Sequence, residues 1–366
     1  MRLKRRAGLL GSTFALAWLA SCGGSGSGGG GSSGRNAFLA VPQANAIAAY
    51  RVDTSSGSFK SVLGSPFSGG NSPISIAVHP SGKFIYAANQ ASNDISLFKI
   101  DSNTGELTEV MPRTAAGLNP TSLVMDSGGD LIFVANETSN TISVFSVSPS
   151  DGTLSEVQGS PFATGPKPVA LALSPSGQFL FAGSGSLAFV FGHSVASGTG
   201  SLGTVPGSPF AVESAPLALA VDPSGHFLYA ANFSANTVSG MAIDSGTGAL
   251  TLTSGSPFAT GKNPISVAVH PSGKFLYVAN LGENNISAYT IDTSTGVTTQ
   301  LTKSPFTAGT EPVFVTTDPA GKFLYVCNQS AKNISQYAIN QDSGGIPASA
   351  VTTTTNVSPA QLVFAK

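Results

Sequence analysis

Charge is scarce in this sequence. Only 10% of its 366 residues are Asp, Glu, Lys or Arg, and the formal net charge is −1. No basic patch forms, which argues against nucleic acid as a partner. Cysteine is almost missing: Cys22 lies near the N-terminus and Cys327 far along the chain. No intramolecular disulfide framework is possible, and Cys327, standing where most repeats have alanine, reads as a small buried residue. After Arg35 the only arginines are Arg51 and Arg113, so an enzyme stabilising an anionic intermediate would have few cations for it. No Walker loop, dinucleotide fingerprint, zinc spacing, Ser-His-Asp or Cys-His arrangement stands out. The sequence therefore implies no cofactor and no metal. Helical periodicity is absent outside the first residues.

What is present begins with a targeting segment. Arg2, Lys4, Arg5 and Arg6 precede an apolar run, Ala7 to Ser21, that is short for a membrane span. It closes on Leu19-Ala20-Ser21-Cys22, which resembles a bacterial lipobox, with Cys22 as the lipidated residue. Arg5-Arg6 is reminiscent of twin-arginine export, but the flanking residues match poorly. A Gly/Ser tether follows, with a reach of roughly 20 Å. The expected organisation is a signal peptide over 1–21, a lipidated cysteine and linker over 22–35, and a folded domain over 36–366. The expected location is exported, in the cell envelope and anchored to a membrane by lipid, as a monomer.

The folded domain is a repeat. The clearest copy reads Pro264-Ile-Ser-Val-Ala-Val-His-Pro-Ser-Gly-Lys-Phe-Leu-Tyr-Val-Ala-Asn280, and others start at Pro73, Pro120, Pro168, Pro216, Pro312 and Pro359, 47 or 48 residues apart. Each copy reads as four short antiparallel strands, the first two joined by a His/Asp-Pro-Ser-Gly hairpin turn. The first strands alternate large residues with small ones, as radially packed blades require. The fold class is all-β, a seven-bladed propeller of four-stranded antiparallel blades. Six copies are complete. The seventh is split: Pro359 to Lys366 supplies its first strand and residues 36–62 the other three, so the ends of the chain close the ring and remove its open sheet edges. The chain ends then share a face with the Pro-Ser-Gly turns, and the opposite face points away from the membrane.

Tyr277-Val-Ala-Asn280 and Tyr325-Val-Cys-Asn328 resemble the YVTN-type repeat. The whole of residues 36–366 is similar to the lactonase family of seven-bladed propellers, which includes 6-phosphogluconolactonase-type enzymes. The matching residues belong to turns and core, and no catalytic residue transfers with them. The resemblance implies a lactone or sugar-acid ligand and, if the protein is an enzyme, lactone hydrolysis.

Four sets of residues are candidates for a site. Asn89, Asn136, Asn232, Asn280 and Asn328 share one repeat position, and Asn93, Asn140, Asn236 and Asn284 another; these are either a polar rim or Asn-stabilised turns. His79 and His270 exchange with Asp126, Asp222, Asp318 and Ser174 ahead of the turn glycine, which suits turn acceptors better than metal ligands. His193 replaces the usual aromatic residue or Met of the third strand, in the most irregular repeat, and reads as a buried, hydrogen-bonded histidine. Finally, the residues just before each first proline are Ser72, Asn119, Lys167, Ala215, Asn263, Glu311 and Ser358. Here the repeat stops repeating, as a ligand site on a symmetric scaffold would. Asn119, Lys167, Asn263 and Glu311 are the candidate ligand-binding residues, with Lys167 and Glu311, three blades apart, as catalytic candidates. Two functions follow: a tethered module binding a glycan, protein or small molecule on its outward rim, or a hydrolase of sugar-acid lactones.

Overall fold

The computed structural model describes residues 34–365. The signal segment, Cys22 and most of the linker lie outside the described residues. Seven antiparallel sheets are arranged in a ring, one per repeat. We number blades 1 to 6 from those opening at Pro73, Pro120, Pro168, Pro216, Pro264 and Pro312. The seventh, composite blade combines Gly34–Val41, Ala46–Asp53 and Phe59–Ser61 with Leu362–Phe364 as its innermost strand.

The closure expected from the split repeat is present. Leu39, Phe38 and Ala37 stand opposite Leu362, Val363 and Phe364. Further bonds run from Ala40 N to Gln361 O (2.8 Å) and from Ala365 N to Asn36 O (2.8 Å). Gln361 also reaches blade 1, its side-chain oxygen accepting from Ile76 N at 2.6 Å.

First strands of neighbouring blades lie side by side around the axis. Their small residues allow this and also link the blades. The Ser75, Ser122 and Ser266 hydroxyls accept the backbone N–H of Leu123, Leu171 and Val315 in the next first strand, at 2.9, 3.1 and 3.1 Å. The large residues pack against the neighbouring sheet, so second strands such as Phe275–Asn280 are buried along their whole length. Burying both faces of each sheet removes roughly 25 cal/mol of unfavourable hydration per Å² of apolar surface.

The tyrosine of the repeat is a latch between blades. Tyr86, Tyr229 and Tyr277 donate to Gly152 O, Gly296 O and Gly344 O in the next blade, at 2.7, 3.0 and 2.7 Å. Tyr325 makes the same bond to Gly57 O at 3.0 Å, and so ties blade 6 to the composite blade.

Two details depart from the four-strand expectation. In blades 2 to 5 and the composite blade, the Ser-Pro-Phe connection folds back as a fifth strand of two residues, Phe162–Ala163 in blade 2, which pairs with the third strand. Its serine is the reason: Ser160 Oγ accepts Val144 N at 2.9 Å, and Ser304 Oγ accepts Ala288 N at 2.9 Å. Blade 6 lacks Ser-Pro-Phe. Pro347 stands there at the position where the other blades' fourth strands donate an N–H, and the last strand moves out to Val351–Thr354.

Candidate functional site

Each first strand starts on the face opposite the Pro-Ser-Gly turns, so the seven residues ahead of the first strands ring one mouth of the channel. Asn119, Lys167, Asn263 and Glu311 all sit there, with Ser72. All five have left-handed backbones, with φ of 58°, 50°, 55°, 55° and 57°. For Lys and Glu this conformation costs on the order of 1 kcal/mol and has to be held from outside.

The holding group is an asparagine of the preceding blade. Asn45, Asn93, Asn140, Asn236 and Asn284 accept, through Oδ1, the backbone N–H of Ser72, Asn119, Lys167, Asn263 and Glu311 at 2.7 to 2.9 Å. Where blade 3 has Ala188 and blade 6 has Lys332 in place of this asparagine, the following rim residues, Ala215 and Ser358, are not left-handed. The second asparagine set is therefore a series of caps, itself left-handed at Asn93, Asn140, Asn236 and Asn284. The first set is fully buried. Asn280 Nδ2, for example, donates to Asn285 Oδ1 and Ser287 Oγ at 2.7 and 2.9 Å. Both sets are structural.

On the rim, Lys167 and Glu311 are exposed, while Asn119 and Asn263 are half-buried. Lys167 forms no ion pair among the described residues. The Glu311 carboxylate accepts a hydrogen bond from the Ser330 hydroxyl. Asn119 Nδ2 donates to Glu137 Oε2 at 2.7 Å, and Asn263 Nδ2 to Phe233 O at 3.4 Å. Lys167 and Glu311 do not bond each other. Nearby, Arg113 is taken up by Glu109 at 2.7 Å, and Glu213 by Thr237 Oγ1 at 2.5 Å. Lys167, like Lys262 beside Asn263, is thus a cation without an ion pair among the described residues, on a mouth whose carboxylates and amides are largely occupied.

On the opposite face, Asp222 and Asp318 accept the backbone N–H of Phe227 and Phe323 inside their own hairpins, at 2.8 and 2.7 Å. Histidine does more than the exchange with Asp suggests. His270 Nδ1 accepts Ser272 N at 3.1 Å, while Nε2 reaches Gly321 O of the next blade at 2.8 Å. Burial lowers the His79 and His270 pKa values. Among the described residues no group of three His, Cys, Asp or Glu side chains converges to hold a metal.

His193 is buried, with Nε2 2.9 Å from Thr164 Oγ1 in the segment that leads from blade 2 to Lys167. Desolvation pulls its pKa down to about 4. The same blade carries a feature that the sequence reading missed. Phe189 and Phe191 occupy third-strand positions held by Thr141 and Ser143 in blade 2 and by Thr237 and Ser239 in blade 4. An alignment of the repeats on their third strands contains this signal.

A ring of seven lactonase-type repeats with a polar mouth defines the class. The chain belongs to the family "Lactonase, 7-bladed beta-propeller", whose model matches residues 31–171, 159–268 and 254–359. Among curated proteins, a 6-phosphogluconolactonase of Formosa agariphila is 35% identical over 69 residues, which is 19% of each chain. That alignment spans less than a fifth of the relative's length. Among solved structures, a periplasmic gluconolactonase of Pseudomonas aeruginosa aligns with a TM-score of 0.78 at 22% identity, covering 91% of this chain and 99% of its own. A Lactobacillus plantarum protein aligns with a TM-score of 0.75 at 20% identity, covering 91% and 100%. At these identities the structural likeness concerns the fold.

Proposed function

We propose that this lactonase-family propeller is exported and membrane-tethered through Cys22, and that it takes a sugar-acid lactone at its outward mouth and hydrolyses it. The observation that supports this reading is the rim itself. Five polar residues are held in left-handed conformations, by caps from the neighbouring blade, at the ring where the repeat varies. Strain maintained in this way is a common mark of a binding surface. The substrate class is suggested by the lactonase family and by the one solved relative that is a gluconolactonase.

In this reading Lys167 stabilises negative charge on the lactone carbonyl oxygen as water adds, and Glu311 accepts a proton from that water. Collapse of the tetrahedral intermediate breaks the ring acyl C–O bond as the proton passes to the departing alkoxide, giving the open hydroxy acid. Each role contributes a factor of about 100 or more where it operates. Lys167→Ala and Glu311→Gln should each depress hydrolysis of a sugar-acid lactone by that order, followed by pH-stat, with the melting temperature unchanged. A wild-type rate equal to the spontaneous one across several lactones would leave the second reading, a binding module for a glycan or protein. One observation favours that alternative: Asn119, Asn263 and Glu311 already bond to neighbours, as in a rigid recognition surface.

A further inference from the structure

Blade 3 departs from blades 1, 2, 4 and 5 at four positions at once, all at its outward end; the composite blade, with Val41, Ala46 and Ala48, lacks the same polar triad but fills it with small or aliphatic residues. Ser184 replaces the buried asparagine, Ala188 the capping asparagine, and Phe189 and Phe191 the Thr/Asn/Asp and Ser that this asparagine bonds elsewhere. Ser184 Oγ donates instead to Pro166 O at 2.6 Å, and so holds the segment that carries Lys167 against the sheet. Because strand residues alternate, Phe189 and Phe191 project from one side of the third strand. That side faces the segment: a Cβ added to Gly165 would fall 2.0 Å from Phe191 Cε2, so the backbone lies against that ring, which on its inner side packs on the core between blades 2 and 3. The two rings meet edge to face, with centroids 6.5 Å apart at 63°. Both are half-buried, and Leu187 beside them is 40% exposed.

A random loss of a polar triad would leave a defect. Here the polar groups are replaced by two large rings, set against a glycine that the repeat also carries as Gly70, Gly117, Gly261 and Gly309, two residues from Lys167. We infer that Phe189 and Phe191 form an aromatic platform that takes the apolar face of a six-membered sugar ring, with Lys167 binding an acidic group on that sugar. Aromatic faces with one well-placed charge are how small polar rings are oriented in shallow sites. The Lys167 ammonium is a point charge on a flexible stem, suited to a carboxylate or a phosphate. The buried His193–Thr164 pair beneath the segment fixes its position. The inference rests on the outward-mouth reading and deepens it by naming the ring and the charge that are recognised.

The test uses methyl glucuronide, a pyranose bearing a carboxylate but no lactone to hydrolyse, with methyl glucoside as the uncharged control. Saturation-transfer NMR with irradiation of aromatic protons reads both contact and affinity. In the wild type, the sugar-ring protons should receive saturation, and methyl glucuronide should bind at least tenfold tighter than methyl glucoside. Phe189→Leu/Phe191→Leu keeps the apolar packing but removes the aromatic faces, and should weaken glucuronide binding at least tenfold. Phe189→Thr/Phe191→Ser, which restores the residues of blades 2 and 4, should do the same. Lys167→Ala should erase the preference for the charged sugar. Absent saturation transfer in the wild type, or wild-type affinity in the folded Leu pair, overturns the platform even if lactone hydrolysis is found. Phe-dependent glucuronide binding without any lactone hydrolysis supports the platform and sinks the hydrolase.

Discussion

His193 does in blade 3 what tyrosine hydroxyls do in blades 5 and 6. Tyr289 and Tyr337 donate to Ala259 O and Thr307 O at the end of the preceding blade, at 2.5 and 2.7 Å, and His193 meets Thr164 at the same junction. The exchange makes this junction sensitive to acid. The folded pKa, about 4, lies below the ordinary 6.5, so the unfolded chain takes up the proton first as pH falls. Stability is then full above about 6.5, declines between 6.5 and 4, and levels below; the loss from this group is at most roughly 3 kcal/mol. His193→Met, the residue of blade 4, should flatten that acid limb when denaturant midpoints at pH 7 and pH 4.5 are compared. His79 and His270 shift in the same direction but stay in both proteins, so the difference isolates His193. An unchanged acid limb would show that its desolvation is relieved in solution. The burial of this histidine was legible from the repeat, since the position is held by Phe98, Phe145, Met241, Tyr289 and Tyr337 in sister copies. Its bond to Thr164 was not, because Thr164 lies 29 residues away in another blade.

At the scale of strands and turns, most of the structure was legible. Alternating large and small residues marked the first strands, and Pro-Ser-Gly marked the hairpins, because these patterns are dictated inside one repeat. What was not legible is what passes between repeats: the serine that folds Ser-Pro-Phe back into a fifth strand, the asparagine caps, and the reach of His270 to Gly321. The candidate rim was found as a place of variation, but its left-handed backbone depends on a residue 26 or 27 positions earlier. The strand Leu362–Phe364 is the element on which closure turns. Deleting Pro359 to Lys366 removes its ladder with Phe38 and its bond to blade 1, and uncovers residues that are fully buried. Leu362 alone accounts for roughly 2 kcal/mol of burial. The truncated protein should lose its single cooperative transition in calorimetry. A melting curve like that of the full chain would show that the ring holds without its innermost closing strand.

For the whole molecule, the shared position of its two ends sets the orientation. Gly34 starts a strand that runs from the Pro-Ser-Gly face towards the rim, and the strand through Phe364 returns beside it. The chain therefore enters the ring at Gly34 on the face opposite Lys167. If Cys22 carries the anchor, Cys22→Ser should move the protein from membrane pellets to the soluble fraction without altering its melting curve; a wild type that is soluble and free of lipid would refute the anchor. The asparagine caps have a further consequence, for how such a ring can be recombined. Each of the five left-handed rim positions is held by an asparagine some 27 residues earlier, on the preceding sheet. A 48-residue module cut between the last strand of blade 2, Phe162–Ala163, and Lys167 would part Asn140 from Lys167 and leave a lysine free to relax out of its left-handed turn. Cut just ahead of the asparagine, the same length keeps clamp and rim residue together. The unit that can be shuffled while preserving the mouth must therefore run through the rim residue, with its cut at the following proline or ahead of the asparagine, and not in the short connection before the rim.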